Sequence, residues 1–213
     1  MNLDEGIEVL GLSLPAEAAN KLKAYLALLL KWNKVYNLTA IRNPDEMVTH
    51  HLLDSLAVLP ELKKSTPAGR VYSLADVGSG AGLPGIVLAI ACPDWLITSV
   101  ETVEKKAAFQ RQAQIELGLK NFSVHGGRVE ALEGRFDAVI ARAFASLADF
   151  VTWSSHLSAC LWAMKGVYPD DEIAALPAGW EVVQSSALCV PGLDAQRHLL
   201  QLRLQPRHEL GGN

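Results

Sequence analysis

Residues 76–85, DVGSGAGLPG, form the stretch of this sequence with the clearest capacity to hold a ligand. Five of the ten residues are glycine or proline. Glycine lets a chain turn sharply and lets a ligand approach the backbone without meeting a Cβ atom. Gly80, Gly82 and Gly85 also match the dinucleotide pattern G-x-G-x-x-G. The segment predicts a ligand-binding loop and leaves three alternatives open: a dinucleotide, another adenosine-bearing cofactor, or a tight turn without a ligand.

Two carboxylates near the loop help to separate these alternatives. Glu101 lies about twenty residues further on, where an acidic side chain accepts hydrogen bonds from ribose hydroxyls in either kind of cofactor. Asp76 comes two residues before Gly78, where a carboxylate repels a pyrophosphate but orients the ammonium of a methionyl group, directly or through water. Counted from the preceding apolar run, the glycines read Gly78-x-Gly80-x-Gly82, which shifts the phosphate-type match into the next helix. These features favour S-adenosylmethionine, and NAD remains the alternative.

Arg142 is the strongest single candidate outside the loop. It follows the apolar run DAVIA (137–141) and is expected at the carboxyl end of a strand, where open α/β sheets bind ligands. A guanidinium there suits a carboxylate or a phosphate of a ligand. Lys165 and Arg197 are candidate phosphate contacts on the same face, with ordinary solvated charges as the alternative. His198 is a further RNA-binding candidate, or else a core or capping histidine.

Two pairs in the first third of the chain have structural and functional interpretations. Trp32 and Tyr36 lie four residues apart, which favours packing along a helix over base stacking. His51 and Asp54 lie three apart on one predicted helical face and are expected to form a hydrogen-bonded pair. That pair is interpreted as fixing the N-terminal helices on the rest of the protein, and lining an RNA site is the alternative.

The first 68 residues are predicted to form a helical extension. One helix is indicated by apolar residues at helical spacing, namely Leu22, Tyr25, Leu26, Leu29 and Leu30. A second is expected to begin at Asn43 as cap, with Pro44 in its first turn and Glu46 completing a capping box. Its inward-facing residues are expected to be Met47, Val48, Leu52 and Leu56.

From residue 71 onward, short apolar runs alternate with helical stretches. Strands are predicted at 71–78, 95–101, 121–125, 136–144 and 161–168, and helices at 85–92, 105–118 and about 147–158. Such alternation is typical of a parallel, doubly wound sheet. Residues 180–190 and 197–205 predict a β-hairpin that closes a mixed sheet. Residues 69–207 are therefore expected to form one compact unit.

Composition narrows the class of protein further. The 213 residues are half apolar and carry a formal net charge of −4, which argues against a surface that coats nucleic acid but allows a local basic cleft. Cys92, Cys160 and Cys189 are widely spaced, which predicts buried thiols in a reducing compartment and no metal site. The acidic start MNLDEGIEVL and the lack of a long apolar run predict a soluble cytoplasmic protein with no membrane contact.

Several motifs together resemble one family. They are KWNKVYNLTAIRNPDEM (31–47), HLLDS (51–55), DVGSGAGLPG (76–85), RVE (128–130), ARAFASL (141–147), MKG (164–166), DDEI (170–173) and QRHL (196–199). In this order they resemble the bacterial small-subunit ribosomal RNA guanine-N7 methyltransferases, also called the glucose-inhibited division protein B family. The glycine loop alone is common to many methyltransferases, whereas WNKVYNLT, HxxDS and RAFAS together are highly specific.

The resemblance implies a fold, a reaction and a partner. The fold is a Rossmann-like class I S-adenosylmethionine-dependent methyltransferase with a mostly parallel seven-stranded sheet. The reaction is methylation at N7 of one guanine in 16S rRNA, guanine 527 in standard numbering. The implied partner is the small ribosomal subunit or an assembly intermediate, and a monomer is expected. The rivals are an NAD-dependent oxidoreductase and a methyltransferase-like module that grips RNA or a division-related partner without catalysis.

The resemblance also carries residue roles onto this sequence. The cofactor positions fall on Gly78, Leu83, Val129, Glu130 and Arg142, beside the loop residues Asp76, Gly80 and Gly82 and the ribose-binding Glu101. Gln196 stands where a glutamate is common in the family, and Ala141 where a serine is frequent.

The expected chemistry needs no general base. Guanine N7 has an in-plane lone pair and no proton to lose, so positioning, desolvation and charge placement suffice. Arg142 is therefore expected to act by positioning and charge stabilisation. The sequence lacks the Asn/Asp-Pro-Pro-aromatic motif of exocyclic-amine methyltransferases, and no cysteine is placed to act as the nucleophile that pyrimidine C5 methylation requires.

Overall fold

The computed structural model describes residues 1–67, 69–144 and 146–205. In these residues seven strands form one sheet in the order β3-β2-β1-β4-β5-β7-β6. The strands are β1 (Ser73–Val77), β2 (Leu96–Glu101), β3 (Phe122–Gly126), β4 (Ala138–Arg142), β5 (Cys160–Lys165), β6 (Trp180–Ala187) and β7 (His198–Leu204). The first five are parallel, whereas β7 runs antiparallel to both β5 and β6. The predicted mostly parallel sheet with a C-terminal hairpin is confirmed.

The strand order reverses between β1 and β4, which are hydrogen-bonded neighbours at the centre of the sheet. Chain connections leave the sheet on opposite sides of this point, so a crevice opens beyond the carboxyl ends of the two strands. The glycine loop follows β1, and Arg142 is the last residue of β4. Both features therefore lie at the same edge of the sheet.

Helices cover the two faces of the sheet. After the first strand they are α6 (Gly85–Ala91), α7 (Glu104–Glu116), α8 (Leu147–Ser154) and α9 (Asp170–Ala174), with a 3-10 turn at Val129–Ala131. One apolar core lies between the sheet and the N-terminal helices, and a second lies under α8 on the other face. Several elements are shorter than predicted, because strand pairing and helical hydrogen bonds end before the apolar runs do.

The N-terminal extension is helical, as predicted. It contains α1 (Leu3–Val9), α2 (Ala18–Tyr36), α3 (Pro44–Met47), α4 (Asp54–Leu56) and α5 (Leu59–Lys64). Residues Val48–Leu53 form a π-helical turn between α3 and α4. Asn43 caps α3 by accepting a hydrogen bond from the backbone N–H of Asp45, rather than the bond to Glu46 that a capping box requires.

The boundaries of the two predicted domains remain predictions, since residues 68, 206 and 207 lie outside the described residues. The extension nevertheless shares one core with the sheet, in which Tyr25 of α2 packs against Phe109 of α7. The expected burial of all three cysteines is wrong for Cys189, which is exposed in the hairpin connection. Within the described ranges, no helix combines the length and apolar character needed to cross a bilayer.

Candidate active site

Three cavities follow one another along the carboxyl edge of the sheet. The apolar cavity, about 220 Å³, lies above β1 and β2 and is lined by Val77, Gly78, Val100, Thr102, Gly127, Arg128, Val129, Glu130, Phe144 and Trp153. The loop cavity, about 260 Å³, is lined by Leu38, Thr39, His51, Gly78, Ser79, Gly80, Ala81, Leu83, Lys106, Arg142 and Ala143. The basic cavity, about 410 Å³, is lined by Ile41, His50, His51, Asp54, Arg142, Ala143, Met164, Lys165, Gly166, Leu188, Arg197 and His198.

Adjacent cavities share walls. Gly78 borders both the apolar and the loop cavity. His51, Arg142 and Ala143 border both the loop and the basic cavity. The apolar and loop cavities therefore form one binding space along the glycine loop. The basic cavity forms a second space, which meets the first at Arg142.

The glycine at position 78 is favoured by the shape of the backbone. Its φ is +68°, a left-handed conformation that favours glycine. A Cβ atom there would lie 3.4 Å from the Phe144 ring. The turn is held by the backbone N–H groups of Gly78 and Ser79, which donate to the carbonyl of Val100 at 3.0 and 3.3 Å. The loop thus crosses the end of β2 closely, and Gly78 lies on the walls of both the apolar and the loop cavity.

Glu101 ends β2 beneath this loop and is only 5% exposed. Its carboxylate accepts hydrogen bonds from the backbone N–H groups of Gly80 and Val103, both at 2.8 Å. The side chain therefore anchors the glycine loop to the next connection. Its predicted contact with ribose hydroxyls stays a prediction and would use the remaining lone pairs of the two oxygens.

Asp76 lies beneath the loop and is fully buried, not open at the end of the strand. Its Oδ2 accepts a hydrogen bond from the Gly85 N–H at 2.7 Å, and a Cβ atom on Gly85 would collide with that oxygen. Burial raises the pKa of this carboxyl group to about 7, although the Gly85 N–H and Arg142 oppose the shift. Among the described residues Oδ1 has no hydrogen-bond partner. That buried oxygen is suited to a donor supplied by a ligand or a water molecule.

A buried polar network supports the loop from the side of α7. Gln110 is completely buried, and its amide donates to the Ser79 hydroxyl and the Gly80 carbonyl, both at 2.8 Å. Its carbonyl accepts from the Ser99 hydroxyl of β2 at 2.5 Å. The sequence interpretation missed this network, because a single glutamine in an amphipathic helix gives no signal of a distant partner.

Arg142 faces a carboxylate of the N-terminal extension. Its Nη1 donates to Asp54 Oδ2 at 3.2 Å and to the His50 carbonyl at 3.0 Å. Arg197 donates from Nε to the other oxygen of Asp54 at 3.0 Å. The predicted pairing of His51 with Asp54 is wrong, since Asp54 binds the two arginines.

His51 instead hydrogen-bonds Thr39, with Nε2 and Oγ1 2.9 Å apart. Burial and the positive charge of Arg142 lower the pKa of His51 to about 4, so the ring is neutral near pH 7. The ring lies in the π-helical turn, a feature found frequently at functional sites. His51 itself lies on the wall between the loop and basic cavities.

Ala143 is a second local irregularity at this wall. Its φ is +57°, which is uncommon for a residue with a Cβ atom and costs about 1–3 kcal/mol. The adjoining Phe144 contacts Phe150 and Trp153, with ring centroids 5.4 and 5.5 Å apart. The aromatic lining of the apolar cavity, Phe144 and Trp153, was not recognised in the sequence, because the two residues come from different elements.

The other predicted RNA contacts are engaged within the protein. Lys165 forms an ion pair with Glu172, with Nζ–oxygen distances of 2.7 and 3.0 Å, and its side chain is 12% exposed. Nδ1 of His198 lies 2.7 Å from the Gly166 carbonyl. Both residues line the basic cavity, so their RNA-binding role stays a prediction.

The remaining predicted cofactor residues are Val129 and Glu130, which line the apolar cavity, and Leu83, which lines the loop cavity. Val129 is buried in the 3-10 turn after β3, whereas Glu130 is exposed and paired with Arg128. Leu83 is buried on the wall of the loop cavity. Six of the predicted cofactor residues line the apolar or the loop cavity, namely Gly78, Gly80, Leu83, Val129, Glu130 and Arg142. Asp76, Gly82 and Glu101 are not among the described lining residues of these two cavities.

Comparison with solved structures defines the class of fold. A SAM dependent methyltransferase from Aquifex aeolicus superposes with a TM-score of 0.58 at 16% identity, covering 81% of this chain and 97% of that one. Magnesium protoporphyrin IX methyltransferase from Synechocystis PCC 6803, solved with bound SAM, gives a TM-score of 0.58 at 14% identity, covering 84% and 97%. The fold is the Rossmann-like fold of S-adenosylmethionine-dependent methyltransferases.

Sequence comparison gives the family. The GidB family profile, described as rRNA small subunit methyltransferase G, matches residues 18–200. The chain is 60% identical over 203 residues to the ribosomal RNA small subunit methyltransferase G of Azoarcus sp. (strain BH72), covering 93% of each chain. It is 56% identical over 209 residues to that of Aromatoleum aromaticum, covering 94% of this chain and 96% of the relative. The chain belongs to the rRNA small subunit methyltransferase G family, and the resemblance seen in its motifs is confirmed.

Proposed function

We propose that this protein methylates N7 of a single guanine in 16S rRNA, guanine 527 in standard numbering, with S-adenosylmethionine as methyl donor. The observation that carries the proposal is the shared wall of His51, Arg142 and Ala143 between the loop and basic cavities. A cofactor along the glycine loop and a nucleobase in the basic cavity would meet at this wall. Membership in the rRNA small subunit methyltransferase G family supports the substrate class.

The residues present fit the cofactor. Phe144, Trp153 and Val129 give the apolar cavity the character that an adenine ring requires. Glu101 lies beneath the loop at the position proposed for ribose, and the buried Oδ1 of Asp76 lacks a partner among the described residues. S-adenosylmethionine supplies a methyl group on a positively charged sulfonium. Gly78 lies on the walls of both the proposed adenine space and the loop cavity.

At the wall shared by the loop and basic cavities, the protein is proposed to act by positioning the reacting groups. Guanine N7 needs no deprotonation, and the groups nearest the shared wall suit that requirement. His51 is neutral and already bonded to Thr39, and Asp54 is engaged by two arginines. The buried Cys92 thiol has its pKa raised to about 12, which keeps it protonated and unsuited to nucleophilic attack. Arg142 is proposed to hold the base or the carboxylate of the cofactor in place without taking a proton.

The charge distribution supports a structured RNA substrate. The protein has a formal net charge of −4, yet the basic cavity contains Arg142, Arg197 and Lys165. A limited basic cleft on an acidic protein gives few phosphate contacts, so shape must supply much of the recognition. We therefore propose the small subunit or an assembly intermediate as partner, for a monomer acting in the cytoplasm.

Methyl transfer from labelled S-adenosylmethionine tests the proposal. The substrates are short naked RNA, 16S rRNA with ribosomal proteins, and small subunits, all isolated from cells lacking this protein. We expect N7-methylguanine at one position and the highest rate on protein-containing particles. Arg142→Ala is expected to lower the rate by at least about 10²-fold while cooperative melting persists. Methylation at another atom, or unchanged turnover of Arg142→Ala, would contradict the proposal.

A further inference from the structure

Asp54 is a buried carboxylate that connects three distant parts of the chain. It begins α4 immediately after the π-helical turn and is 3% exposed. Arg142, at the end of β4, binds one of its oxygens, and Arg197, directly before β7, binds the other. All three side chains line the basic cavity.

The bonding leaves each guanidinium with donors to spare. Arg142 uses Nη1 for Asp54 and the His50 carbonyl. Arg197 uses Nε for Asp54 and Nη1 for the Gln196 carbonyl. In the part of the chain that the structure describes, Nη2 of neither arginine has a hydrogen-bond acceptor. Asp54 thus fixes the orientation of two planar groups and leaves donors available to a substrate.

Asp137 shows a different use of a carboxylate by the same fold. It precedes the other end of β4, pairs with Arg70, and accepts from the Ser73 backbone N–H and hydroxyl at 2.8 and 3.0 Å. Those bonds join strand ends far from the three cavities. Asp54 instead binds cavity-lining side chains, and this difference points to a role in substrate placement.

We propose that Asp54 is a positioning residue that sets Arg142 and Arg197 toward the target guanine or its phosphate, an inference that rests on the proposed function. Two guanidinium groups and one carboxylate give this cluster a net charge of +1. That charge matches one phosphate, and a guanidinium also fits the electron-rich guanine O6 edge. The N-terminal extension is then part of the active site, because it supplies the residue that orients both arginines.

Single-turnover methyl transfer to saturating small subunits tests this role. Asp54→Asn removes the charge and turns an amide N–H toward one guanidinium. We expect a loss of about 10²-fold in rate, the usual cost of misplacing reacting groups by about 1 Å. Asp54→Glu retains the charge and is expected to recover part of the rate. Combining Asp54→Asn with Arg197→Gln should cost less than the product of the two single losses, because Asp54 acts partly through Arg197 and partly through Arg142.

Asp137→Asn is the matched control, since it also removes a largely buried, arginine-paired carboxylate adjoining β4. It is expected to lower the melting temperature and leave the saturated rate unchanged. A rate for folded Asp54→Asn equal to that of Asp137→Asn would overturn the inference, as would additive losses in the double variant. If Asp54→Asn does not fold, the rates of Asp54→Glu and Arg197→Gln are compared with that of Asp137→Asn in its place. Absence of transfer by the wild-type protein would refute the proposed function itself.

Discussion

At the scale of single residues, the properties of Asp76 depend on its burial, which the sequence motif does not show. The sequence places a carboxylate next to the glycine loop, but only the structure shows that it is fully buried and bonded to Gly85. A buried carboxylate is stabilised when protonated, so its folded-state pKa of about 7 exceeds its ordinary value of 3.8. The group therefore favours folding below pH 3.8 and loses that contribution as pH rises through 7.

We predict that Asp76→Asn raises the stability of the ligand-free protein at pH 8. The neutral amide keeps an oxygen for Gly85 and avoids ionisation, which costs the wild-type chain on the order of 4 kcal/mol above pH 7. An amide N–H without a partner offsets part of this gain. Urea unfolding at pH 5 and pH 8 checks it, and the advantage should shrink at the lower pH. An advantage that grows toward pH 5 would contradict the assigned direction.

The same substitution also tests the predicted cofactor contact. If the carboxylate orients the ammonium of S-adenosylmethionine, calorimetric titration should show weaker binding by Asp76→Asn despite its greater stability. Equal affinity of the two proteins at pH 8 would remove Asp76 from the predicted set of cofactor residues.

At the scale of elements, the sequence predicted what local patterns determine. The apolar run AVIA and the run LADV, which is apolar except for Asp76, become buried parallel strands because both faces of a central strand are covered. The π-helical turn at Val48–Leu53 and the positive φ of Ala143 were not predicted. Both are irregularities that tertiary contacts stabilise, and neither changes the apolar spacing along the chain. The contact of Asp54 with Arg142 and Arg197 was missed for the same reason, since the three residues meet only after the sheet forms.

Helix α7 provides an element-scale prediction, because Gln110 connects it to the glycine loop. Gln110→Leu removes three hydrogen bonds. It leaves the Ser79 hydroxyl and the Gly80 carbonyl without the donor that Gln110 supplies. We expect a loss of about 1–3 kcal/mol in the free energy of unfolding. Affinity for S-adenosylmethionine is expected to fall about tenfold, equivalent to 1.4 kcal/mol, because the loop is less firmly held.

Gln112→Leu is the control for this prediction, since among the described residues the Gln112 side chain bonds Glu116 alone, on the outer surface of the same helix. Its stability should stay within about 0.5 kcal/mol of the wild-type value. Urea unfolding and calorimetry on both variants make the comparison. Equal effects of the two substitutions would show that the network does not support the loop.

At the scale of the whole molecule, the N-terminal extension and the sheet share one apolar core. Leu22, Leu29 and Tyr25 of α2 belong to the same core as Leu88 and Phe109. The Tyr25 hydroxyl also donates to the carbonyl of Ala81 in the glycine loop at 2.8 Å. Thr39, His51 and Asp54 then contribute walls to the cavities. The predicted division near residue 68 therefore separates segments of sequence that share a core and a site.

We predict that a chain beginning at residue 71 does not fold by itself, although it retains every strand and the glycine loop. Without α2, apolar residues of α6 and α7 such as Leu88 and Phe109, both at 0% exposure in the intact chain, lose their cover. Each large apolar side chain exposed in this way costs about 1.5–3 kcal/mol, and a whole domain is stable by only about 5–15 kcal/mol. Calorimetry should show no cooperative transition for the truncated chain and a single one for the full-length control. A sharp transition together with retained S-adenosylmethionine binding would instead show that the sheet and its later helices fold independently, with the extension serving only the basic cavity.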